Sequence, residues 1–569
     1  MAQWLELVFK LPLYQSFFYR NTAAADGQQS LTGRRAAVRF GSRKLVGFIV
    51  AEHETLPKSC PFAEADIKPI DRIIDAEPLF TDEQAALARW MSRFYICAEG
   101  IALSAMLPSG KREAGELNTD GIEFAGTDFS ASALTLSEEQ RSAVEAISGC
   151  TGGEFFYVYG ITGSGKTEVF LQAASRALAA GKSVIYLVPE ITLSHQVAET
   201  VKKRFGDRCA VLHSGLTGSK RLAEWRRIAR GEARIVVGVR SAIFAPVRDL
   251  GLIIIDEEHD ASYKSGTTPR YHARQVAMYR ASRSAIPLVM GSATPSVESW
   301  HLMNEGSLVR HTLTKRLAGG TMPEIVRIDL TKEKTDGCLS RSLANEIRTT
   351  LNLKKQTILF LNRRGFTHFF RCGDCGYEMT CKNCSVPMTY HKSERHLRCH
   401  YCGWSVEPPE SCPVCGSLNI GYSGFGTEYI EAETKAKFPN AKIVRIDTDA
   451  LTKRGELEEK LSAFGRGDYD IMLGTQMVAK GLNFPNLRLV GIVLADTGLH
   501  VPDFRASERT FSLITQVAGR AGRFFPDGKV LVQTYNPSKE PVALACTHDT
   551  EKFYAYELGE RKLLGFPPF

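Results

Sequence analysis

The sequence predicts an α/β protein with two doubly wound lobes, a cysteine-rich insertion in the second lobe and a small, mostly β domain before the first. Apolar runs of strand length alternate with helical patterns twice along the chain, which is typical of parallel sheets covered by helices. A glycine-rich phosphate loop occurs in the first repeat only, and eight of the 14 cysteines lie together in the second. At 569 residues the chain is long enough for several domains, because one core rarely exceeds about 250–300 residues.

The composition is that of a globular protein, with 44% hydrophobic and 24% charged residues. The net charge of +8 fits a polyanionic partner such as nucleic acid, and it is equally compatible with a protein that has none. No apolar run approaches the ~18 residues of a membrane span, and no signal cleavage site follows the apolar N-terminus. These features predict a cytoplasmic protein with no membrane partner, whose thiols stay reduced.

Residues 1–108 predict the small, mostly β domain. The apolar N-terminal stretch is predicted to enter it as a strand, and "RRAAVRFGSRKLVGFIVAEHE" predicts two strands that meet around Gly41 to Arg43. "TDEQAALARWMSRFYI" then predicts a helix. Residues 109–133, which contain Gly, Ser and Ala, predict a linker to the first lobe.

The first lobe is predicted to span residues 134–325 and to bind a nucleotide. In "FFYVYGITGSGKTEVFLQAA" a buried strand, a GxxxxGK[ST] loop and a helix follow one another, which is the context that a phosphate loop requires. Loop amides would hold the phosphates, Lys166 would reach the β and γ phosphates, and Thr167 would coordinate magnesium. The predicted nucleotide contacts of this lobe, where Gln140 would read adenine, are Gln140, Gly160, Ile161, Thr162, Gly163, Ser164, Gly165, Lys166 and Thr167.

A second strand of this lobe, "LGLIIIDEEH", ends in acidic residues. Asp256 is placed to hold magnesium through water, and Glu257 is placed to activate the water that attacks the terminal phosphate. The alternative is a helix cap after a strand, and the phosphate loop upstream makes the catalytic interpretation the better one.

The second lobe is predicted over residues 326–545 and repeats the strand–helix pattern without a second phosphate loop. Within "GTQMVAKGLNFP", Gly481 is a further predicted nucleotide contact. "QVAGRAGR" presents Arg520 and Arg523 about one helical turn apart, so both would face the same way and compensate charge on the γ phosphate across a cleft. An isolated arginine pair would more often be a solvated helix face.

Four CxxC pairs lie within a predicted insertion at residues 371–421, and a CxxC turn directs two thiolates at one ion. Eight thiolates predict two zinc ions. The preferred pairing is nested, because only five residues separate the first two pairs; adjacent pairing stays open. The nested sets are Cys372, Cys375, Cys412 and Cys415 for zinc 1, and Cys381, Cys384, Cys399 and Cys402 for zinc 2. Zinc would stabilise the fold directly, and a functional surface is compatible with that role.

An aromatic and basic segment, "DASYKSGTTPRYHARQVA", follows the acidic residues directly. Aromatic rings stack on nucleic-acid bases, and cations follow phosphates, so the segment predicts contact with a single strand. The alternative is an ordinary surface loop. The predicted contact residues are Tyr263, Lys264, Arg270, Tyr271, His272 and Arg274.

Seven motifs occur in the order of superfamily 2 helicases: "GITGSGKT", "LVPEITLSHQ", "DEEH", "GSATPS", "LFLNRRGF", "GTQMVAKGLNFP" and "QVAGRAGR". With eight cysteines after "NRRGF", the chain resembles the PriA family, the bacterial replication-restart helicases also called primosomal protein N′. The resemblance implies two RecA-like lobes with nested zincs, ATP-driven 3′→5′ movement on DNA and recognition of stalled or abandoned forks. It implies ATP, Mg²⁺ and two Zn²⁺ as cofactors, and a monomer that binds single-stranded and forked DNA, primosome proteins, single-stranded DNA-binding protein and the replicative helicase loader.

By the same resemblance, residues 1–108 would bind the 3′ end of a nascent DNA strand. Phe17, Tyr19, Gly41 and Lys68 align with that pocket. Phe18 falls where the family has an acidic residue that reads the 3′ hydroxyl, so the chain departs from the pattern there. The alternative is a set of ordinary core aromatics.

Two larger departures concern whole domains. The family usually has a winged-helix domain where residues 109–133 leave room only for a linker, and it continues into a C-terminal domain of which residues 546–569 would be the start. We expect either a trimmed sequence or a compact variant. Two other functions stay open from the sequence: a fork-binding scaffold that recruits partners without unwinding, and an RNA helicase.

Overall fold

The computed structural model describes most of the chain. The described residues are 3–22, 30–108, 135–189, 196–213, 215–316, 323–333, 337–361, 368–372, 374–375, 377–383, 388–391, 394–400, 402–418, 420–423, 427–447, 456–475, 484–501, 503–521 and 527–569. The predicted linker at 109–133 therefore lies outside them, as do Cys384, Gly481 and Arg523. Along these described stretches, no helix is both long and apolar enough to cross a bilayer.

The chain divides into two compact units. The first unit comprises Met1–Val158 with Thr167–Gly291, and the second comprises Tyr159–Lys166 with Ser292–Phe569. The predicted N-terminal domain and most of the predicted first lobe thus share one unit. The domain limits given by the sequence stay predictions.

The first unit begins with a five-stranded antiparallel sheet. Its strands are β1 (Trp4–Phe9), β2 (Phe17–Arg20), β3 (Arg35–Phe40), β4 (Arg43–His53) and β5 (Ile70–Ile73), in the order β2-β1-β4-β3-β5. Helices α1 (Asp82–Phe94) and α2 (Glu99–Met106) follow. Thr81 and Gln84 form a capping box at the start of α1, which explains why the helix begins there. The mostly β domain and its helix are confirmed.

The rest of the first unit is a parallel α/β layer. Its elements are α3 (Glu138–Gly149), β6 (Phe155–Gly160), α4 (Lys166–Ala179), β7 (Ser183–Leu187), α5 (Gln196–Phe205), β8 (Cys209–Leu212), α6 (Gly218–Arg230), β9 (Ile235–Gly238), β10 (Leu250–Asp256), α7 (Ala273–Ser284) and β11 (Leu288–Ser292). Six strands lie side by side in the order β6-β11-β10-β7-β9-β8. Every residue of β7 and β9 is buried, as expected for a sheet covered on both faces.

The second unit contains another parallel sheet. After α8 (Val297–Asn304) and β12 (Val309–Leu313), its elements are β13 (Glu324–Asp329), α9 (Arg341–Asn352), β14 (Gln356–Phe360), then, beyond the insertion, α10 (Thr427–Lys437), β20 (Ile443–Ile446), α11 (Glu456–Arg466), β21 (Ile471–Gly474), β22 (Leu487–Ile492), α12 (Ala506–Ala518), β23 (Lys529–Thr534), α13 (Glu540–Cys546) and α14 (Thr550–Leu564). Six strands pair in parallel in the order β13-β23-β22-β14-β21-β20.

The cysteine-rich insertion forms a small antiparallel sheet of its own between β14 and α10. Its strands are β15 (His368–Cys372), β16 (Thr389–His391), β17 (His396–Arg398), β18 (Ser405–Val406) and β19 (Ile420–Ser423), in the order β18-β17-β16-β15-β19. The predicted fold class is therefore confirmed: two parallel α/β sheets, an inserted cysteine-rich region and a mostly β N-terminal sheet.

Candidate functional site

The glycine-rich loop leads from β6 into α4 and closes around Lys166. The Nζ atom of Lys166 donates to the carbonyl of Gly160 at 2.8 Å, so the ammonium group lies inside the curve of the loop. Gly163 and Gly165 have φ angles of +87° and +83°, a region that favours glycine. A side chain on Gly160 would clash, because an added Cβ would lie 2.6 Å from the Oγ atom of Ser164. The motif therefore has the compact backbone that a phosphate loop needs.

The turn after α12 approaches this loop within the second unit. An added Cβ on Gly519 would lie 2.7 Å from the Oγ1 atom of Thr162 and 2.9 Å from its Cβ atom. The next residue, the half-buried Arg520, donates its backbone N–H to the carbonyl of Val517 at 3.1 Å. One turn earlier, the side-chain amide of Gln516 donates to Thr294 at 3.0 Å. The "QVAGR" part of the predicted arginine motif is thus adjacent to the phosphate loop.

In the first unit, β10 ends at Asp256, whose buried carboxylate is held by neighbouring donors. The hydroxyl of Tyr186 donates to Oδ2 at 3.3 Å, and the backbone N–H of Glu257 donates to Oδ1 at 2.9 Å. Tyr263 donates its hydroxyl to the carbonyl of Asp256 at 2.6 Å. Burial raises the pKa of both tyrosines well above the usual range, and the charge of Asp256 adds to the effect, so both hydroxyls keep their protons and donate.

Glu257 differs from Asp256 in exposure and backbone conformation. Its φ angle is +46°, which is uncommon for a residue with a side chain, and its carboxylate is 36% exposed. The ring of His259 lies 3.6 Å from that carboxylate. Left-handed backbone at an acidic residue is a feature that functional sites often show. The Glu257 carboxylate is thus accessible to solvent, whereas that of Asp256 is buried.

Glu258, which was not among the predicted catalytic residues, is the most buried acidic residue of this segment. It is 1% exposed, accepts from the hydroxyl of Tyr157 at 3.1 Å and forms an ion pair with Arg274. A buried, paired carboxylate is a structural anchor that fixes the end of β10 to α7. The only sequence signal was its position beside two candidate catalytic acids.

The aromatic and basic segment after β10 is partly internal. Tyr263, Tyr271 and Arg274 are buried, so in this structure they support the segment and do not present themselves to a strand. Lys264 and Arg270 are exposed, and the ammonium group of Lys264 donates to the carbonyl of Arg270. His272 begins α7 as its N-cap. Contact with nucleic acid stays a prediction for this segment, with Lys264, Arg270 and His272 as its accessible members.

The first four cysteines of the nested prediction meet in one place. The sulfur atoms of Cys372, Cys375, Cys412 and Cys415 all lie within 4.8 Å of one another. The distances are 3.6 Å from Cys372 to Cys415 and 3.5 Å from Cys375 to Cys412. Four sulfurs at ~2.3 Å from one zinc ion would stand about 3.8 Å apart in a tetrahedron. The donor set therefore fits zinc in chemistry and spacing.

The described members of the second cysteine set also lie close together. Cys381, Cys399 and Cys402 form a cluster, with 3.6 Å between the sulfurs of Cys381 and Cys402. Their predicted fourth partner, Cys384, lies outside the described residues. The backbone N–H of Asn383 donates to the sulfur of Cys381 at 3.4 Å, which favours its thiolate form. Both clusters follow the nested pairing.

In the N-terminal sheet, the residues aligned with a 3′-end pocket fall into two groups. Lys68 donates to the carbonyl of Gly41 at 3.4 Å, so these two are adjacent and accessible. Phe17 packs edge-on against Phe40 at 4.9 Å, and Tyr19 is buried with its pKa raised to about 12 by burial. Two of the aligned aromatics thus contribute to the core.

One further predicted contact, Gln140, and the departure at Phe18 remain to be placed. Gln140 is buried, and its side-chain oxygen accepts from the N–H of Ser137 at 2.9 Å in a capping box, so its part in adenine recognition stays a prediction. Phe18, at the position where the sequence departs from the family pattern, is half-buried beside the ring of His53 at 6.0 Å.

Four family models match the chain in succession. A 3′ DNA-binding domain (3′BD) matches residues 6–108, and a DEAD/DEAH box helicase matches residues 137–301. The PriA DNA helicase Cys-rich region matches residues 381–406, and a helicase conserved C-terminal domain matches residues 424–525. This set describes an ATP-dependent DNA helicase with a zinc-ribbon region and a DNA-binding domain in front.

Similarity to whole proteins agrees with these four family models. Replication restart protein PriA of Treponema pallidum (strain Nichols) is 53% identical over 572 residues, covering 100% of this chain and 86% of the relative. Its namesake from Borreliella burgdorferi is 34% identical, covering 99% and 84%. The one from Bacillus subtilis (strain 168) is 46% identical over 442 residues, covering 77% of this chain and 55% of that protein. The predicted resemblance is confirmed: the chain belongs to the PriA family of replication restart proteins.

Proposed function

We propose that the chain moves 3′→5′ on single-stranded DNA by hydrolysing ATP, acts at stalled or abandoned replication forks and begins primosome assembly there. The observation that carries the catalytic part is the approach of the Gly519 turn to Thr162 of the phosphate loop. It supports a site in which Arg520, and Arg523 after it, compensate charge that develops on the γ phosphate.

Each residue of the proposed site has one task. Lys166 holds the β and γ phosphates, and the amides from Gly160 to Thr167 surround them. Asp256 and Thr167 offer carboxylate and hydroxyl oxygens, which are the donors that magnesium prefers, and the bound ion would neutralise phosphate charge. Glu257 accepts a proton from the attacking water. Tyr186 supports this task indirectly, because its hydrogen bond fixes the Asp256 carboxylate.

The zinc region is proposed to brace the second half of the motor, with two Zn²⁺ ions on the nested cysteine sets. The N-terminal domain is proposed to bind the 3′ end of a nascent strand at a fork, where Lys68 and Gly41 offer an accessible edge. Primosome proteins, single-stranded DNA-binding protein and the replicative helicase loader are the proposed partners, and the cytoplasm is the proposed setting.

The test compares ATP hydrolysis and strand displacement with forked DNA, single-stranded DNA and RNA. Lys166→Ala is expected to abolish DNA-stimulated hydrolysis, while Lys220→Ala, an exposed lysine of α6, behaves as the wild type. DNA-stimulated hydrolysis retained by Lys166→Ala would refute the site. Equal stimulation by RNA would refute the DNA preference, and partner recruitment without unwinding would favour the scaffold alternative.

A further inference from the structure

The C-terminal helix α14 contacts both α8 and α12 inside the second unit. Tyr554 stacks on Trp300 of α8, with ring centroids 4.2 Å apart and planes 12° apart. Its hydroxyl donates to the carbonyl of Pro295, just before α8, at 2.5 Å. Phe553 stacks on Phe511 of α12 at 3.8 Å. One helix therefore joins the two helices that border the predicted motifs "GSATPS" and "QVAGRAGR".

Arg561 of α14 is a buried cation at the place where α8, α12 and α14 meet. It is 1% exposed, and its guanidinium donates to Glu508 at 2.6 Å, to Glu557 at 3.0 Å and to the carbonyl of Pro567 at 3.2 Å. A further carboxylate, that of Glu298 on α8, lies 3.8 Å away. Arg561 therefore faces three carboxylates, from α8, α12 and α14, of which Glu298 also pairs with Arg505 at 2.7 Å.

Glu508 of α12 also bonds to the start of α8. Its Oε1 atom accepts from the backbone N–H of Val297, the first residue of α8, at 3.1 Å, while Oε2 accepts from Arg561. An unpaired N–H at a helix start needs such an acceptor, and a carboxylate also suits the positive end of the helix dipole. The same carboxylate thus ties α12 to the start of α8 and to α14.

The helix that carries Glu508 also leads to the turn that approaches the phosphate loop. Ten residues after Glu508, α12 ends at Ala518, and the Gly519 turn that follows approaches Thr162. On the α8 side, Thr294 precedes the helix and accepts from Gln516 of α12. Both ends of α12 are therefore fixed to the same segment, one through the Arg561 cluster and one through Gln516.

We propose that Arg561 is a positioning residue for ATP hydrolysis: by holding Glu508 it fixes α12 against α8 and thereby sets where Arg520 stands relative to the phosphate loop. This inference rests on the role proposed above for Arg520. Arg561 acts through α12 and touches neither nucleotide nor DNA. Burial and the nearby charge of Glu298 raise the pKa of Glu508 to about 7, and the guanidinium group of Arg561 opposes that rise.

The experiment uses the full chain and measures kcat and KM for ATP with saturating single-stranded DNA, DNA affinity and thermal melting. Arg561→Met is expected to lower kcat at least tenfold while KM and DNA affinity stay within twofold. Arg561→Lys keeps the charge, but one ammonium cannot reach acceptors on three sides, so an intermediate kcat is expected. Lys562→Met, at an exposed neighbour on α14, is the matched control and should match the wild type.

A second variant keeps the inference testable if Arg561→Met fails to fold. Tyr554→Phe removes the bond to Pro295 and keeps the ring stack, so it should fold and lower kcat about threefold. Wild-type kcat in Arg561→Met or in Tyr554→Phe would overturn the inference, and so would losses that fall equally on kcat, KM and DNA affinity. Failure of the site itself is distinguishable, because it would appear as retained ATPase activity in Lys166→Ala.

Discussion

Replacing Gly519 with alanine isolates one contact between the arginine motif and the phosphate loop. Gly519 has ordinary helical angles, φ −60° and ψ −9°, so alanine can adopt its backbone without strain. The added methyl group would lie 2.7 Å from the Thr162 Oγ1 atom and 2.9 Å from its Cβ atom. The hydroxyl can rotate away, but the Cβ atom can move only with the backbone of the loop.

The geometry sets the expected size of the effect. An ordinary contact begins near 3.4 Å, so the turn and the loop must separate by at least 0.5 Å at the Thr162 Cβ atom. A shift of about 1 Å costs on the order of 100-fold in rate when it misplaces catalytic groups, so a loss of at least ~10-fold in kcat is expected. Stability should change little, because alanine at a backbone conformation it can adopt gains about 0.4–1 kcal/mol over glycine through the unfolded chain, which offsets part of the ~1–3 kcal/mol cost of the overlap.

The assay is DNA-stimulated ATP hydrolysis, with thermal melting as the check on folding. Gly559→Ala is the matched control, because Gly559 lies in helix α14 and an added Cβ there meets nothing within 4 Å. We expect Gly519→Ala to melt near the wild-type temperature and to lose activity, while Gly559→Ala keeps full activity. Equal kcat values for the two variants would show that the Gly519 turn does not approach the loop in the working enzyme.

Three further predictions test other parts of the molecule. Cys412→Ser should lose one of two bound zinc ions by metal analysis, whereas Cys60→Ser should keep both; an unchanged zinc content would contradict the nested cluster. Burial raises the pKa of Glu508 to about 7, so folding favours its protonated form. Its contribution to stability should be full below the ordinary value of 4.5 and lost as the pH rises through 7. The melting temperature of the wild type minus that of Glu508→Gln should therefore fall across pH 4–8. Arg35→Met should destabilise the N-terminal domain by about 3–5 kcal/mol in denaturant unfolding, because it leaves Asp75, 3% exposed in the ion pair, buried without its cation; a loss below 1 kcal/mol would refute this.

Local spacing in the sequence was sufficient for the parts of the site that are built from neighbours in the chain. The phosphate loop and the CxxC turns each place their functional groups within a few residues, so backbone geometry alone brings the groups together. The sequence also favoured the nested zinc pairing, because the short gap between the first two pairs restricts how the chain can wrap an ion. These predictions depend on short stretches whose conformation varies little between proteins.

The residues that support the site were not visible in this way, because their partners are distant in the chain. Tyr186 holds Asp256 across 70 residues, and Arg561 holds Glu508 across 53. Each is an ordinary strand or helix residue by pattern. Only the sheet order, which places β7 beside β10, reveals the first contact.

In the aromatic and basic segment, burial differs even between neighbours in the chain, and composition does not predict it. Tyr263 is 0% exposed, whereas Lys264 beside it is on the surface. The sequence predicted contact with a single strand for the whole segment, because aromatic and basic residues are mixed there. The structure divides the segment, since the Tyr263 hydroxyl reaches back to the end of β10. The exposed part is thus joined through one side chain to the backbone of Asp256.

The zinc region is joined to the parallel sheet of the second unit by part-buried polar contacts as well as by the chain. Glu378, between the two cysteine sets, accepts from the side-chain amide of Asn536 at 3.0 Å and lies 2.7 Å from the ring of His500. Burial alone would lower the pKa of His500, but the hydrogen bond and charge of Glu378 outweigh it and raise the pKa. Asp496, four residues after β22, accepts from the backbone N–H of Asn536 at 3.2 Å and so continues the network. These contacts connect the cysteine-rich region to the segments that follow β22 and β23 of the parallel sheet.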